Sequence, residues 1–143
     1  MAWLEYEYTR RYSHKTGKCI FYSPIIEVEI INGGKSIKVS AMIDSGCDTT
    51  TLDQELAQMI GVDLSKGSNV LVKGPSGGNS GGVEADIQIN LEGNKFTSRV
   101  VVVKDLAFAM LLGQDNFFEY FDVLFERSKG KFSIKKVPKV RFE

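Results

Sequence analysis

From Ile25 onward the chain alternates apolar and polar residues. Ile26, Val28 and Ile30 are separated by Glu27 and Glu29, the period-two pattern of a half-buried strand. Asn32-Gly33-Gly34 follows, three residues that tolerate positive φ, and predicts a tight hairpin. The second strand, Ser36 to Ile43, runs directly into Asp44-Ser45-Gly46. Leu52, Leu56, Met59 and Ile60 then recur at helical spacing, with Asp53 or Thr51 as cap and Gly61 as stop. Strand signals return at Val70–Val72. After the glycine-rich stretch Lys73–Gly82, alternation resumes through Val83, Ala85, Ile87, Ile89 and Leu91. Glu92-Gly93-Asn94 predicts a turn into a strand from Phe96 to Val103, whose run of four valines predicts burial on both faces. Leu111-Leu112-Gly113 precedes a second short helix over Gln114–Tyr120. Phe121–Glu126 and Lys131–Ile134 form a last hairpin about Ser128-Lys129-Gly130. The aromatics Phe117, Phe118, Tyr120 and Phe121 are expected in the core. Short strands joined by turns predict an all-β barrel or sandwich with one or two short helices.

Residues 1–23 mix aromatics (Trp3, Tyr6, Tyr8, Tyr12, Phe21, Tyr22) with charges. They read as an N-terminal extension, with one strand packed on a domain spanning 24–143. A chain of 143 residues fits one such domain. Its 43% hydrophobic and 25% charged residues are those of an ordinary soluble globular protein. Eighteen Lys and Arg balance eighteen Asp and Glu, so no net charge draws the chain to nucleic acid or to an anionic membrane. The basic runs Arg10-Arg11 and Lys135-Lys136 are short and read as solvated surface. The first residues carry acids where a signal peptide needs a basic and then an apolar region, and the run Leu106–Leu112 is too short to span a bilayer. Cys19 and Cys47 read as free thiols of a reducing compartment, which makes a cytoplasmic location the expectation.

The chemically informative segment is Ala41 to Leu52. A carboxylate at the end of an apolar strand, followed by a small hydroxyl residue and a glycine, is held at the rim of a core. Ser45 can orient neighbouring groups, and Gly46 lets the chain turn so that backbone amides reach Asp44. Met42-Ile43-Asp44-Ser45-Gly46-Cys47-Asp48-Thr49-Thr50, followed later by Leu111-Leu112-Gly113-Gln114-Asp115, resembles the two motifs of the retropepsin-like aspartic proteases. The resemblance covers about residues 24–134.

That resemblance implies a small closed β-barrel and a homodimer in which each copy supplies one catalytic aspartate, since this chain holds one Asp-Ser-Gly and is too short for two lobes. Asp44, Ser45 and Gly46 would be the catalytic triplet. Asp48, Gly77, Gly78 and Asn79 would bind a peptide or protein substrate, the last three from a flap over the cleft, and the tail Val137–Phe142 would be a candidate for pairing across the dimer. No cofactor or metal is implied. Two positions depart from the family pattern. Gln114 stands where arginine is usual, and can hydrogen-bond Asp48 without neutralising it. Cys47 replaces alanine or serine.

Other chemistries fit poorly. His14 is the only histidine and no serine or cysteine triad is suggested. Cys19, Cys47 and His14 are too few for a zinc site, and the glycine-rich stretch lacks the Gly-Lys-Ser/Thr of a phosphate loop. The alternative to an enzyme is a catalytically silent peptide-binding or dimerisation module on the same fold. A third reading is an unrelated β protein with chance motifs.

Overall fold

The structure is a computed structural model that describes residues 2–73, 79–138 and 142–143. Among the described residues, twelve strands and one short α-helix follow in order, with single 3-10 turns at Leu64–Lys66 and Arg127–Lys129. They are β1 (Leu4–Glu7), β2 (Thr9–Tyr12), β3 (Cys19–Ser23), β4 (Ile25–Asn32), β5 (Lys35–Ile43), β6 (Thr51–Asp53), α1 (Gln54–Met59), β7 (Asn69–Lys73), β8 (Asn79–Leu91), β9 (Asn94–Val103), β10 (Met110–Leu112), β11 (Phe121–Glu126) and β12 (Lys131–Lys136).

The main sheet runs β4-β5-β10-β6-β9-β8, and β8 returns to pair with β4, so six strands close into a barrel. Strand β7 lies outside the ring and, among the described residues, pairs with the first half of β8 alone. Closure removes the free edges that an open sheet of these strands would expose. The alternating apolar residues point inward: Val28, Ile30, Ile87, Ile89, Leu52 and Leu112 are all buried. Val100 to Val103 are buried at every position, as their unbroken apolar run predicts, because β9 is covered on both faces. The turns use positive φ at Gly33, Gly93 and Gly130, with Glu92 also at φ 52° beside Gly93.

A second sheet, β1-β12-β11, buries Phe132 and Ile134 in the same core, and Phe121 and Phe117 stack at 5.3 Å beside them. Of the three strands before Pro24, β1 pairs with β12, whereas β2 and β3, among the described residues, pair only with each other. Phe142 returns to its own chain, edge-on to Phe96 at 6.0 Å.

Two local expectations fail. Leu52 belongs to β6, and Met59 faces solvent at 61% exposure, so the apolar face of α1 reduces to Leu56, Ala57 and Ile60. Residues Gln114–Tyr120 form successive turns and no helix. Asn116 sits at φ 72°, and its side-chain amide bonds both the N–H and the C=O of Arg99. That tertiary contact outweighs the weak helical propensity of so short a segment. Among the described residues, no helix is long and apolar enough to cross a membrane.

Candidate active site

The barrel places Asp44 through an unusual insertion. Strands β5 and β6 are consecutive in the chain, yet β10 lies between them. It runs parallel to β5 (Ala41 beside Met110, Ile43 beside Leu112) and antiparallel to β6 (Met110 beside Leu52). The chain from 44 to 50 must therefore cross the end of β10. Asp44 opens that crossing, and its N–H donates to the Leu112 carbonyl at 2.9 Å. The turn closes when the Cys47 N–H donates to the Asp44 carbonyl at 3.2 Å. The Gly46 N–H donates to Asp44 Oδ1 at 3.0 Å, which orients the carboxylate.

The crossing is strapped to the segment after β10 by a ladder of bonds. The Gln114 N–H donates to the Cys47 carbonyl (2.8 Å) and the Asp115 N–H to the Asp48 carbonyl (2.9 Å). Thr50, fully buried, donates through Oγ1 to the Asp115 carbonyl at 2.9 Å and accepts from the Gly113 N–H at 3.3 Å. The backbones approach so closely that a Cβ at Gly113 would collide with the carbonyl oxygens of Cys47 and Thr49. The glycine of the second motif is thus explained by contact with the first.

Asp44 opens onto a cleft of about 880 Å³. Gly46, Cys47, Asp48, Thr49 and Thr51 form one wall. Val70–Val72 of β7 face it, and Val101, Val103 and the loop Lys104–Ala107 complete the lining, with Glu84 beside them. Apolar walls with a few polar groups suit a peptide better than a small ion. The loop is tied down by Asp53. Its Oδ2 caps α1 by accepting from the Glu55 N–H (3.2 Å), while its Oδ1 accepts from the Leu106 N–H (3.0 Å).

A profile of the family described as aspartyl protease matches residues 26–116, a span that contains both motifs, the barrel strands and the cleft. The chain belongs to the aspartyl protease family. Within it, the fold is retropepsin-like. The chain is similar to the crystal structure of a retropepsin-like aspartic protease from Rickettsia conorii, at 20% identity and TM-score 0.59, over 94% of this chain and 95% of that one. It is also similar to EIAV protease complexed with the inhibitor HBY-793, at 20% identity and TM-score 0.50, over 71% of this chain and 86% of that one. No curated protein sequence matches it.

Set on this aspartyl protease fold, the residues singled out from the sequence fall as follows. Asp44, Gly46 and Asp48 line the cleft together. Ser45 is exposed and does not line it; its carbonyl accepts from Gln114 Nε2 at 2.8 Å. Gln114 therefore braces the Asp-Ser-Gly turn instead of reaching the Asp48 side chain. Asn79 opens β8, paired in the backbone with Lys73, and Gly77 and Gly78 lie outside the described residues. Cys47 is half-buried, with its Sγ donating to the Thr49 carbonyl at 2.9 Å. The sequence reading missed Thr50, Asp53, Glu84 and the loop after β9. Thr50 lies inside the first motif, and Asp53 carries only the local signal of a helix cap. Glu84 and the loop carry no local signal, because only the barrel's closure brings them to the cleft.

Proposed function

We propose that this chain is an aspartic endopeptidase that acts as a homodimer, with Asp44 and its symmetry mate forming the catalytic pair across the two-fold axis. The observation that carries the reading is the carboxylate of Asp44, the one in the Asp-Ser-Gly turn, held by the Gly46 amide in a cleft of about 880 Å³. One such carboxylate per chain leaves half of an acid–base pair, and a second copy supplies the other half. Two carboxylates at close range share one proton, because the doubly ionised state is repulsive.

The ionised member takes a proton from a water between the two, and the oxygen of that water attacks the scissile carbonyl carbon. The protonated member donates to the carbonyl oxygen, giving a neutral tetrahedral gem-diol. Proton return to the amide nitrogen then releases amine and carboxylic acid. Gly46 and Ser45 are positioning residues for Asp44, and Asp48 lies where substrate would pass. Leu71 is 77% exposed on β7 and is the side chain the β7–β8 hairpin would lay over bound peptide; Gly77, Gly78 and Asn79 are the further substrate-binding residues of this reading.

The test is cleavage of a diverse peptide library by the purified chain from acidic to neutral pH, with Asp44→Asn in parallel and sedimentation of both. Cleavage lost in the variant, with both proteins dimeric, establishes the reading. A folded dimer that cuts nothing at any pH refutes turnover and leaves a peptide-binding module.

A further inference from the structure

The hairpin β2–β3 stands apart in charge. Between Glu7 and Glu27 there is no acidic residue, while Arg10, Arg11, Lys15 and Lys18 all fall there. The chain as a whole is neutral, so the remainder is net acidic. On one face of the hairpin, Arg10 pairs in register with Tyr22. The turn before β12 brings Arg127 to the same ring. The Arg127 guanidinium lies 3.5 Å from the Tyr22 ring centroid and that of Arg10 lies 4.6 Å from it. Arg10 also donates to Tyr22 Oη at 3.0 Å. Neither guanidinium has a carboxylate within 4 Å among the described residues, whereas Lys129 and Lys131 nearby do. A pocket of about 360 Å³ lies between them, completed by Tyr12, Cys19 and Ser128.

Two guanidiniums held together on one aromatic ring repel each other, and cation–π contacts offset this only in part. An anion between them relieves the repulsion, and the planar forks suit carboxylate oxygens. Among the described residues the hairpin forms a two-stranded sheet, each strand with one edge outside any ladder, which can accept an extended peptide by strand addition. Exposed Ile20 and Tyr12 add apolar contact.

We propose that this hairpin, with Arg127, is a docking surface for an acidic peptide segment. Five cations on an otherwise acidic chain match a few carboxylates; they are too few for the phosphate backbone of a nucleic acid, which the remaining surface repels. The hairpin is also coupled to the cleft. Phe21 on its other face lies 5.9 Å from Phe108, next to the cleft-lining loop, and Pro24 at its foot accepts from the Ile43 N–H, one residue before Asp44. The acidic segment is thus a flank of the same polypeptide whose other part enters the cleft. This last link rests on the protease reading; the docking itself does not.

The test uses the full chain carrying Asp44→Asn, so that no probe is consumed, and fluorescence anisotropy with a labelled peptide of alternating Glu and Thr. A peptide of alternating Gln and Thr is the control. The Glu peptide is expected to bind about tenfold or more tighter than the Gln peptide, and to weaken with salt. Arg10→Gln combined with Arg127→Gln is expected to weaken it about 10- to 100-fold. Lys15→Gln with Lys18→Gln, at the solvent-facing turn, is expected to weaken it a few-fold and keeps the test open if the arginine variant does not fold. Equal affinity for the two peptides, or unchanged affinity in either folded variant, overturns the proposal. Tighter binding of oligothymidylate or phosphatidylserine vesicles overturns the partner class. Because binding is read without turnover, failure of the cleavage assay leaves this result standing.

Discussion

Replacing Thr50 with valine tests the idea that the two motifs are held together by a buried hydroxyl. Valine has nearly the same shape, so packing changes little. What is lost is the donor to the Asp115 carbonyl and the acceptor for the Gly113 N–H, at a residue with 0% exposure. Each buried polar group left unpaired costs about 1–3 kcal/mol. The 3.3 Å bond to Gly113 is long and counts at the low end, so the sum is about 2–4 kcal/mol. Against a total stability of about 5–15 kcal/mol this is a large fraction. With a urea slope of about 2 kcal/mol per molar, the middle of the usual range, the midpoint falls by about 1–2 M. Thr50→Ser keeps the hydroxyl and loses a methyl, about 1 kcal/mol. The assay is equilibrium urea unfolding followed by circular dichroism at one fixed protein concentration, since any dimer links stability to concentration. Thr50→Val within about 0.5 kcal/mol of the parent, or Thr50→Ser costing more than Thr50→Val, would refute the strap.

Gly113→Ala forces a Cβ against two backbone carbonyl oxygens that cannot rotate away; a loss of about 3 kcal/mol in the same unfolding assay is expected, and a neutral substitution would show that the crossing is looser than described. Asp53→Ala removes both the cap of α1, about 1 kcal/mol, and the acceptor for Leu106. Faster hydrogen exchange at the Leu106 amide is the diagnostic, with Asp53→Asn restoring protection; an unchanged rate in the alanine variant rules the tether out. Burial, and then the hydrogen bond to Glu92 with its negative charge, hold the Tyr6 phenol well above its ordinary pKa of about 10. A raised folded pKa contributes stability that is complete below the unfolded value and is lost as pH rises through the folded one. Stability measured above pH about 10 should therefore fall more steeply in the parent than in Tyr6→Phe, and parallel curves would contradict the assignment.

Much of this molecule was legible along the chain. Alternation, apolar runs and the turn residues Gly33, Gly93 and Gly130 place strands and turns over 25–43, 83–103 and 121–134. These are local facts: side-chain direction has period two in any strand, and positive φ is available to few residues. The motifs Asp44-Ser45-Gly46 and Leu111-Leu112-Gly113 were legible through their resemblance to the retropepsin-like proteases, but the strap between them, with Gly113 against the carbonyls of Cys47 and Thr49, was not. The tertiary structure decided what depends on contact between segments distant in sequence. It set the insertion of β10 between β5 and β6, and the ring closure of β8 on β4. It turned Gln114 toward the Ser45 carbonyl, and used Asn116 to hold Arg99 where a helix was expected. It also gathered Arg10, Tyr22 and Arg127 from three segments onto one ring. None of these has a period or a local signature, since a hydrogen bond or stacked cation is chosen by whichever partner closure of the barrel brings within reach.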